Sequence, residues 1–247
     1  MEFILDVHVH TVLSGHAHST LSENAAHAAS VGLKFIGMAD HGPGLPGGAH
    51  LYNFGNLWSM PDYMHGVRVF KGVEANIMDL DGNLDLPDWL LGKMEFVIAS
   101  IHLGIMEPTN RADHTKALVS AMENKNVHII GHPCDKRFEL DMGEVVGAAA
   151  RTKTILEVNN QSLNPCSHRY HGDDIIMEML HLCKKYGVPV LASSDAHVCT
   201  NVGNFTEARA IIEKAGLTEE EVLNTCDKKF LSAIQSKRLG RETDASS

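Results

Sequence analysis

The sequence is short of cysteine, and what cysteine it has shows no pattern. Cys134, Cys166, Cys183, Cys199 and Cys226 are odd in number and scattered, with no C-x-x-C pair. That excludes a disulfide framework and a structural zinc knuckle, and it suits a reducing cytoplasm. Long apolar runs are missing as well. No stretch approaches the roughly 20 apolar residues of a membrane span. The opening MEFILDVHVH enters a strand pattern directly, so no signal peptide is expected. Basic charge is scarce: 21 Lys and Arg stand against 31 Asp and Glu, a net charge of −10. Non-specific nucleic-acid binding depends on cations that neutralise phosphates, so long polymers are not expected partners. No repeat, low-complexity block or linker divides the 247 residues, a length that a single α/β barrel commonly reaches.

Histidine, in contrast, is abundant, with sixteen in the chain. Their placement follows the secondary-structure pattern. Short β-rich apolar runs at 3–9, 34–39, 67–75, 95–101, 127–131, 154–159 and 188–194 read as strands. Helical patterns lie between them at 22–31, 110–124, 141–151, 172–186 and 204–215, with a final pair near 218–237. This alternation predicts βαβ units and a parallel sheet, and both a distorted barrel and a doubly wound sheet suit it. The segment 42–66 is a long Gly/Pro/His-rich connection, and DLDGNLD (79–85) reads as a hairpin or tight turn.

Six of the seven strand candidates finish in residues able to bind metal: His8 and His10, His41, Glu74, His102, His132, then Asp195 with His197. Strand ends of parallel α/β folds converge on one face, where ligands bind. Period-two alternation puts His8 and His10 on the same side of the first strand. His16 follows in a glycine-containing loop near the same rim, and its neighbour His18 is expected to be exposed or to support a ligand. One buried histidine is usually a packed core residue, but six strand ends in succession are not explained that way. A catalytic zinc takes about three protein ligands, so nine donors with one shared carboxylate suit three ions. Imidazole and carboxylate without thiolate do not name the metal.

Around these positions, Asp6 and Asp40 are candidates to orient imidazoles or to form structural ion pairs. Lys136 and Arg137, directly after His132-Pro133, and Arg169, after Glu157-Val158-Asn159-Asn160, are candidate phosphate contacts. Asn160 and Ser162 are further rim candidates. Trp58 and Tyr63 are expected to pack rather than to form a lid. No role is expected for His27, His50, His65, His114, His128, His171 or His181.

The set D-x-H-x-H-T, G-H-x-H-S-T, D-H-G, G-x-E-x-N, G-H-P, E-V-N-N and S-D-A-H resembles the PHP (polymerase and histidinol phosphatase) family. Its D-H-G-P and N-V-H-I-I-x-H-P contexts are most similar to the YcdX-type phosphatases. The resemblance implies a single-domain distorted (β/α)7 barrel over residues 1–237, with 238–247 as a flexible tail. It also implies a phosphatase acting on small phosphate monoesters through a trinuclear site and metal-activated water. The three divalent ions would be zinc in the first place, with manganese or iron as alternatives. By resemblance, His8, His10, Glu74 and Asp195 hold one ion, and Glu74 bridges to a second held by His102 and His132. The third is held by His16, His41 and His197. Glu74 and Asp195 are the carboxylates expected to take part in catalysis. The implied partner is a small phosphorylated substrate, and the chain is expected to form a homo-oligomer, a trimer by resemblance. Rival readings within the family are a phosphodiesterase or exonuclease and a histidinol-phosphatase-like enzyme. An amidohydrolase would need a metal-bridging lysine near the fourth strand, where only Lys93 precedes EFVIASIHLG.

Overall fold

The apolar runs pair in the order in which they occur. The computed structural model describes residues 1–170 and 173–239. Its strands are β1 (Leu5–Val9), β2 (Phe35–Met38), β3 (Tyr63–Met64), β4 (Val67–Asn76), β5 (Phe96–Ser100), β6 (Ile129–Ile130), β7 (Ile155–Asn159) and β8 (Val190–Ser193). All except β3 lie parallel, in the spatial order β1-β2-β4-β5-β6-β7-β8. A doubly wound sheet reverses its strand order partway across. This order never reverses, and a parallel bridge from Val9 to Ala196 returns the last strand's end to the first. The sheet is therefore a nearly closed, distorted seven-stranded β/α barrel, the one of the two architectures open to the strand pattern that the family resemblance implies.

Around it run α1 (Leu21–Ser30), α2 (Leu51–Gly55), α3 (Asp88–Leu91), α4 (Arg111–Met122), α5 (Met142–Thr152), α6 (Asn160–Leu163), α7 (Asp174–Tyr186), α8 (Thr206–Lys214) and α9 (Asp227–Leu239). Local chemistry sets their ends. Thr20 and Glu23 form a reciprocal capping box at the start of α1. Asn110 and Asp141 cap α4 and α5 through their side chains. Gly187 closes α7 with a left-handed backbone.

The barrel interior changes character along its axis. Phe70 precedes Glu74 on the inward face of β4, Ile98 precedes Ser100 on β5, and Ile155 precedes Glu157 and Asn159 on β7. Leu5, Val7, Phe70, Phe96, Ile98, Ile129, Ile155 and Leu191 form an apolar cluster that α9 closes with Phe230 and Ile234. The polar residues follow at the carboxyl ends. In β1 the register shifts between Asp6 and Val9, so that Val7 joins this cluster and the next residue, His8, enters the polar rim. Irregularities of this kind re-aim side chains beside functional sites.

Four expectations are corrected. The final helix pair is one helix, α9: the Thr218–Glu221 turn is capped by its own side chains, and Val222 then bridges to Val190 instead of continuing helically. Arg238 and Leu239, expected in the tail, belong to α9, and residues 240–247 lie outside the described residues. The 42–66 connection contains the short strand β3, which folds back on β4. Within that connection Trp58 and Tyr63 do not pack, being 79% and 65% exposed. The 79–85 turn is as expected: Asp79 accepts from the Asp81 and Asn83 backbone N–H groups, and Ile77 pairs with Leu84.

Candidate metal centre

At the carboxyl end of the barrel the nine candidate ligands meet around Glu74. One of its oxygens, Oε2, lies 3.3 Å from His8 Nε2, 3.6 Å from His10 Nε2 and 2.7 Å from His41 Nδ1. The other, Oε1, lies 3.3 Å from His102 Nε2 and 3.0 Å from His132 Nε2. A carboxylate with one oxygen on each side of a cluster has the form of a bridging ligand. Asp195 Oδ1 sits 3.2 Å from His10 Nε2 and 3.6 Å from His8 Nε2. His197 Nε2 faces His16 Nε2 at 2.9 Å, and His41 stacks between this pair and the rest. His8, His10 and Glu74, then His41, Glu74 and His102, then His10, His41 and His197 each bring three ligand atoms close enough to hold one ion.

The outer nitrogens are fixed by the chain. His8 Nδ1 donates to Glu157 Oε1 at 2.6 Å, His102 Nδ1 to Asn76 Oδ1 at 2.7 Å, and His197 Nδ1 to the Asp195 carbonyl at 3.0 Å. Ser14 Oγ donates to Asp40 at 2.6 Å, so it accepts from His10 Nδ1 at 3.0 Å. Each of these bonds commits the proton to Nδ1 and leaves the Nε2 lone pair turned inward, the arrangement that prepares an imidazole to bind metal.

The inward atoms form a donor set that the chain itself does not satisfy. Among the described residues, His8 Nε2, His10 Nε2, His41 Nδ1, Glu74 Oε2, His102 Nε2 and Asp195 Oδ1 are buried with no hydrogen-bond partner. The short His41–Glu74 contact lacks hydrogen-bond geometry. Buried polar atoms without partners cost about 1–3 kcal/mol each, and six at one point make no sense as packing. A divalent cation fits that donor set. Burial alone would raise Glu74, but His102, His8 and His41 outweigh it and hold the carboxyl well below the usual range. Asp195 is held low in the same way, with His8 and Arg169 opposing burial. Both carboxylates stay anionic.

The backbone concedes to the same end. Of the four non-glycine residues with positive φ among the described residues, two are His132 (29°) and Asp195 (51°), each just past its strand. Such strain persists where the surroundings enforce it, often at functional sites. Gly131 is needed beside His132 because a Cβ there would strike Ser100 Oγ, which donates to Glu74 at 2.7 Å.

Other candidates divide. Arg169 Nη1 reaches Asp195 Oδ2 at 2.5 Å, and its Nε lies 3.7 Å from Asp135. Arg137 clasps Asp135 through Nε at 2.9 Å and Nη2 at 2.5 Å. Both arginines line the cavity over the ligands, whose volume is about 440 Å³. Lys136 does not; it is exposed and lines a separate pocket behind the loop with Arg111. Asn160 and Ser162 also miss the rim. Asn160 Oδ1 caps α8 by accepting from Glu207 and Ala208, and Ser162 bonds to Asn159; Gln161 lines the cavity instead. Asp40 orients His10 through Ser14, whereas Asp6 only ties down the Ser194 and Gly203 backbone. His18 is exposed, as expected, and His171 lies outside the described residues.

Two supporting residues were not singled out from the sequence. Glu157 accepts from His8, the His132 N–H, Ser193 and Asn159; its signal was a charged residue in the middle of a strand buried at every position. Asp85 accepts from Gly44 N, Asn76 N and Asn76 Nδ2 at 2.8, 2.9 and 2.6 Å. It thereby turns the Asn76 carbonyl toward His102. A Cβ at Gly42 would collide with that carboxylate.

Buried imidazoles and carboxylates gathered at the carboxyl rim of a β/α barrel are the equipment of a hydrolase that uses metal ions. Comparison with known proteins agrees. A family model described as PHP-associated matches residues 178–238. A probable phosphatase of Thermoanaerobacter sp. is 44% identical over 239 residues, covering 96% of this chain and 97% of that protein. A probable phosphatase of Caldanaerobacter subterraneus subsp. tengcongensis is 43% identical over 239 residues, covering 96% and 93%. The crystal structure of histidinol phosphate phosphatase from Lactococcus lactis, complexed with zinc, L-histidinol and phosphate, matches with a TM-score of 0.61 at 17% identity. It covers 87% of this chain and 94% of that one, a likeness of fold. The chain belongs to the PHP family of phosphatases and is a phosphoric ester hydrolase.

Proposed function

We propose that this phosphatase hydrolyses small phosphate monoesters at a centre of three divalent ions. His8, His10, Glu74 and Asp195 hold the first ion. Glu74, His102 and His132 hold the second, and His16, His41 and His197 the third. The observation that carries this reading is the set of six buried, partnerless donor atoms aimed at one another around Glu74. Zinc suits the imidazole-rich donor set and occurs in the Lactococcus structure, with manganese or iron as alternatives. When bound, such ions lower the pKa of water toward about 7 and neutralise charge on phosphate oxygens.

The chain's own groups do the rest. Glu74 offers one oxygen to each side of the cluster. Asp195 is held by Arg169 and Asn159 through Oδ2, which leaves Oδ1 at the cavity floor for an ion and for the proton of the attacking water. Arg169, neighbouring that carboxylate, places a fixed cation where phosphate charge gathers. The cavity of about 440 Å³ suits a small molecule and not a polymer. The five free cysteines fit the reducing cytoplasm expected from the sequence.

The test is metal analysis of protein purified without chelator, followed by assays on p-nitrophenyl phosphate and its bis-ester. About three metal equivalents per chain are expected, with mono-ester cleavage that a chelator abolishes and zinc or manganese restores. Less than one equivalent, together with a His8→Ala variant as active as wild type, would sink the proposal. Cleavage of the bis-ester alone would replace the monoesterase by a diesterase.

A further inference from the structure

The wall of the cavity above the candidate ligands carries a guanidinium donor that the hydrolysis itself does not require. Beyond the candidate metal ligands, that wall is lined by Leu45 and Leu103 and by Arg137, Gln161, Ser167, His168 and Asn201. Among the described residues lining the cavity, the only carboxylate is Asp195, which already serves the cluster and Arg169. Asp135 lies buried beneath the wall and is shared by two arginines, since Arg137 clasps it and Arg169 Nε approaches to 3.7 Å. Asp135 is matched by Arg137, and Arg169 is matched by Asp195, a carboxylate that the candidate metal cluster also draws on. Arg169 is turned down toward Asp195. Arg137 spends Nε and Nη2 on Asp135, and its Nη1 has no protein acceptor among the described residues.

Resting on the phosphatase reading above, we propose that the leaving group of the natural substrate carries a second anionic group, which Arg137 binds. The substrate class is a phosphorylated polyol or sugar bearing another phosphate or a carboxylate. Gln161, Ser167 and Asn201 supply the amide and hydroxyl groups that such a polyol would use, and Leu45 and Leu103 give its carbon chain an apolar wall. An amine-bearing leaving group, such as that of histidinol phosphate, meets the opposite conditions. Its ammonium would enter a partly desolvated cavity beside Arg137 and Arg169, with no carboxylate left to receive it. Like charges so placed repel, and the cost falls on the unwanted substrate. The rim therefore acts as a charge filter on the part of the substrate that the metals do not hold. Arg137 is its specificity-determining residue.

The experiment uses the metal-loaded protein and measures kcat/KM for p-nitrophenyl phosphate, fructose 6-phosphate, fructose 1,6-bisphosphate and histidinol phosphate. A charged hydrogen bond to the second anion should favour the bisphosphate over fructose 6-phosphate by about tenfold to a hundredfold. Histidinol phosphate should rank below fructose 6-phosphate. In Arg137→Gln, at equal metal content, the ratio of bisphosphate to monophosphate should collapse toward unity. In Arg137→Glu, the rank of histidinol phosphate should rise. If fructose 6-phosphate matches or exceeds the bisphosphate in the wild type, or if histidinol phosphate is the best substrate, the charge filter is wrong while the phosphatase stands. If no phosphate ester is cleaved by the loaded protein, both proposals fall. The wild-type ranking alone decides the matter even where a variant folds poorly.

Discussion

At the amino-terminal end of the barrel, Lys237 of α9 is only 2% exposed, yet its Nζ lies 2.6 Å from the Met122 carbonyl and 2.8 Å from Thr154 Oγ1. Beside it His128 is fully buried, with the Val97 N–H and Arg238 Nε each 3.0 Å from a ring nitrogen. At the carboxyl end His8, His10, His102 and Glu74 are also buried, and there the Nε2 atoms of the three rings and Glu74 Oε2 have no hydrogen-bond partner among the described residues. Both ends bury groups that water would otherwise solvate, and both meet the cost of desolvation. One end does so with backbone carbonyls, hydroxyls and neighbouring donors. The other leaves the account open to a cation. Burial of a histidine is therefore uninformative until the partners of both ring nitrogens are known, and those partners separate a packed residue from a ligand.

The sharpest way to break this contrast is at Glu74. Glu74→Gln removes the one carboxylate that faces both sides of the cluster. Loss of several kcal/mol of transition-state charge stabilisation corresponds to a fall in kcat of about a thousandfold or more. Metal content, measured by mass spectrometry on the folded variant, should fall with it. Retention of full metal and activity would show that the convergence on Glu74 is not a metal site. A smaller effect is expected one layer out. In Asp85→Asn the side chain has a single carbonyl oxygen where the native carboxylate accepts three N–H groups, so Asn76 loses its fixed orientation toward His102. Disturbing a partner of a metal-binding histidine typically weakens metal affinity about 10–100-fold. Competition with a chelator should reveal the loss, with partial recovery of activity at high zinc. An unchanged chelator titration would confine Asp85 to holding the 42–45 loop.

The barrel and the gathering of histidines and carboxylates at its carboxyl rim were legible because both obey simple rules. Alternating apolar runs and helices dictate a parallel sheet, and ligands at successive strand ends converge whatever the loops do. What lay outside those rules was harder to read. Lys136 and Arg137 are adjacent, and the sequence cannot say which faces the cavity; that depends on the Asp135–Arg137 clasp and on the turn that brings Lys136 N to the Arg169 carbonyl. Asn160 and Ser162 sit beside the lining residue Gln161, yet one caps α8 and the other bonds Asn159, uses set by tertiary placement. Trp58 and Tyr63 looked like packing residues because large aromatics usually bury, but their segment runs across the outside and turns back at β3. Asp85 was visible only as part of a turn, since its three donors come from residues 9 and 41 positions away.

The amino-terminal end makes the complementary predictions, in stability and not in chemistry. Lys237→Met leaves the Met122 carbonyl and Thr154 without their ammonium donor, at a cost of about 1–3 kcal/mol. For a chain of this size that lowers Tm by roughly 2–4 °C per kcal/mol, and the activity per metal-loaded molecule should not change. A variant as stable as wild type would mean that these contacts do not support that end.

The smallest effect concerns His128. Burial, helped by Arg238 and Lys237, lowers its pKa from 6.5 to about 3. A neutral ring can accept from one of the two N–H groups that face it, whereas a protonated ring could accept from neither. The native ring therefore stays neutral, while the unfolded chain takes up a proton as the pH falls below about 6.5. The contribution is complete above that value and declines as the pH drops from 6.5 toward 3. One unit below, at about pH 5.5, the loss is about 1.4 kcal/mol. Urea denaturation of the metal-loaded protein at about pH 7.5 and pH 5.5 includes the acid sensitivity of the ligands as well, so the informative quantity is a difference between proteins. His128→Gln should lose about 1.4 kcal/mol less than wild type over that interval. Equal losses would mean that the ring is protonated in the folded protein. The two ends of the barrel would then differ in ligands but not in how they treat a buried imidazole.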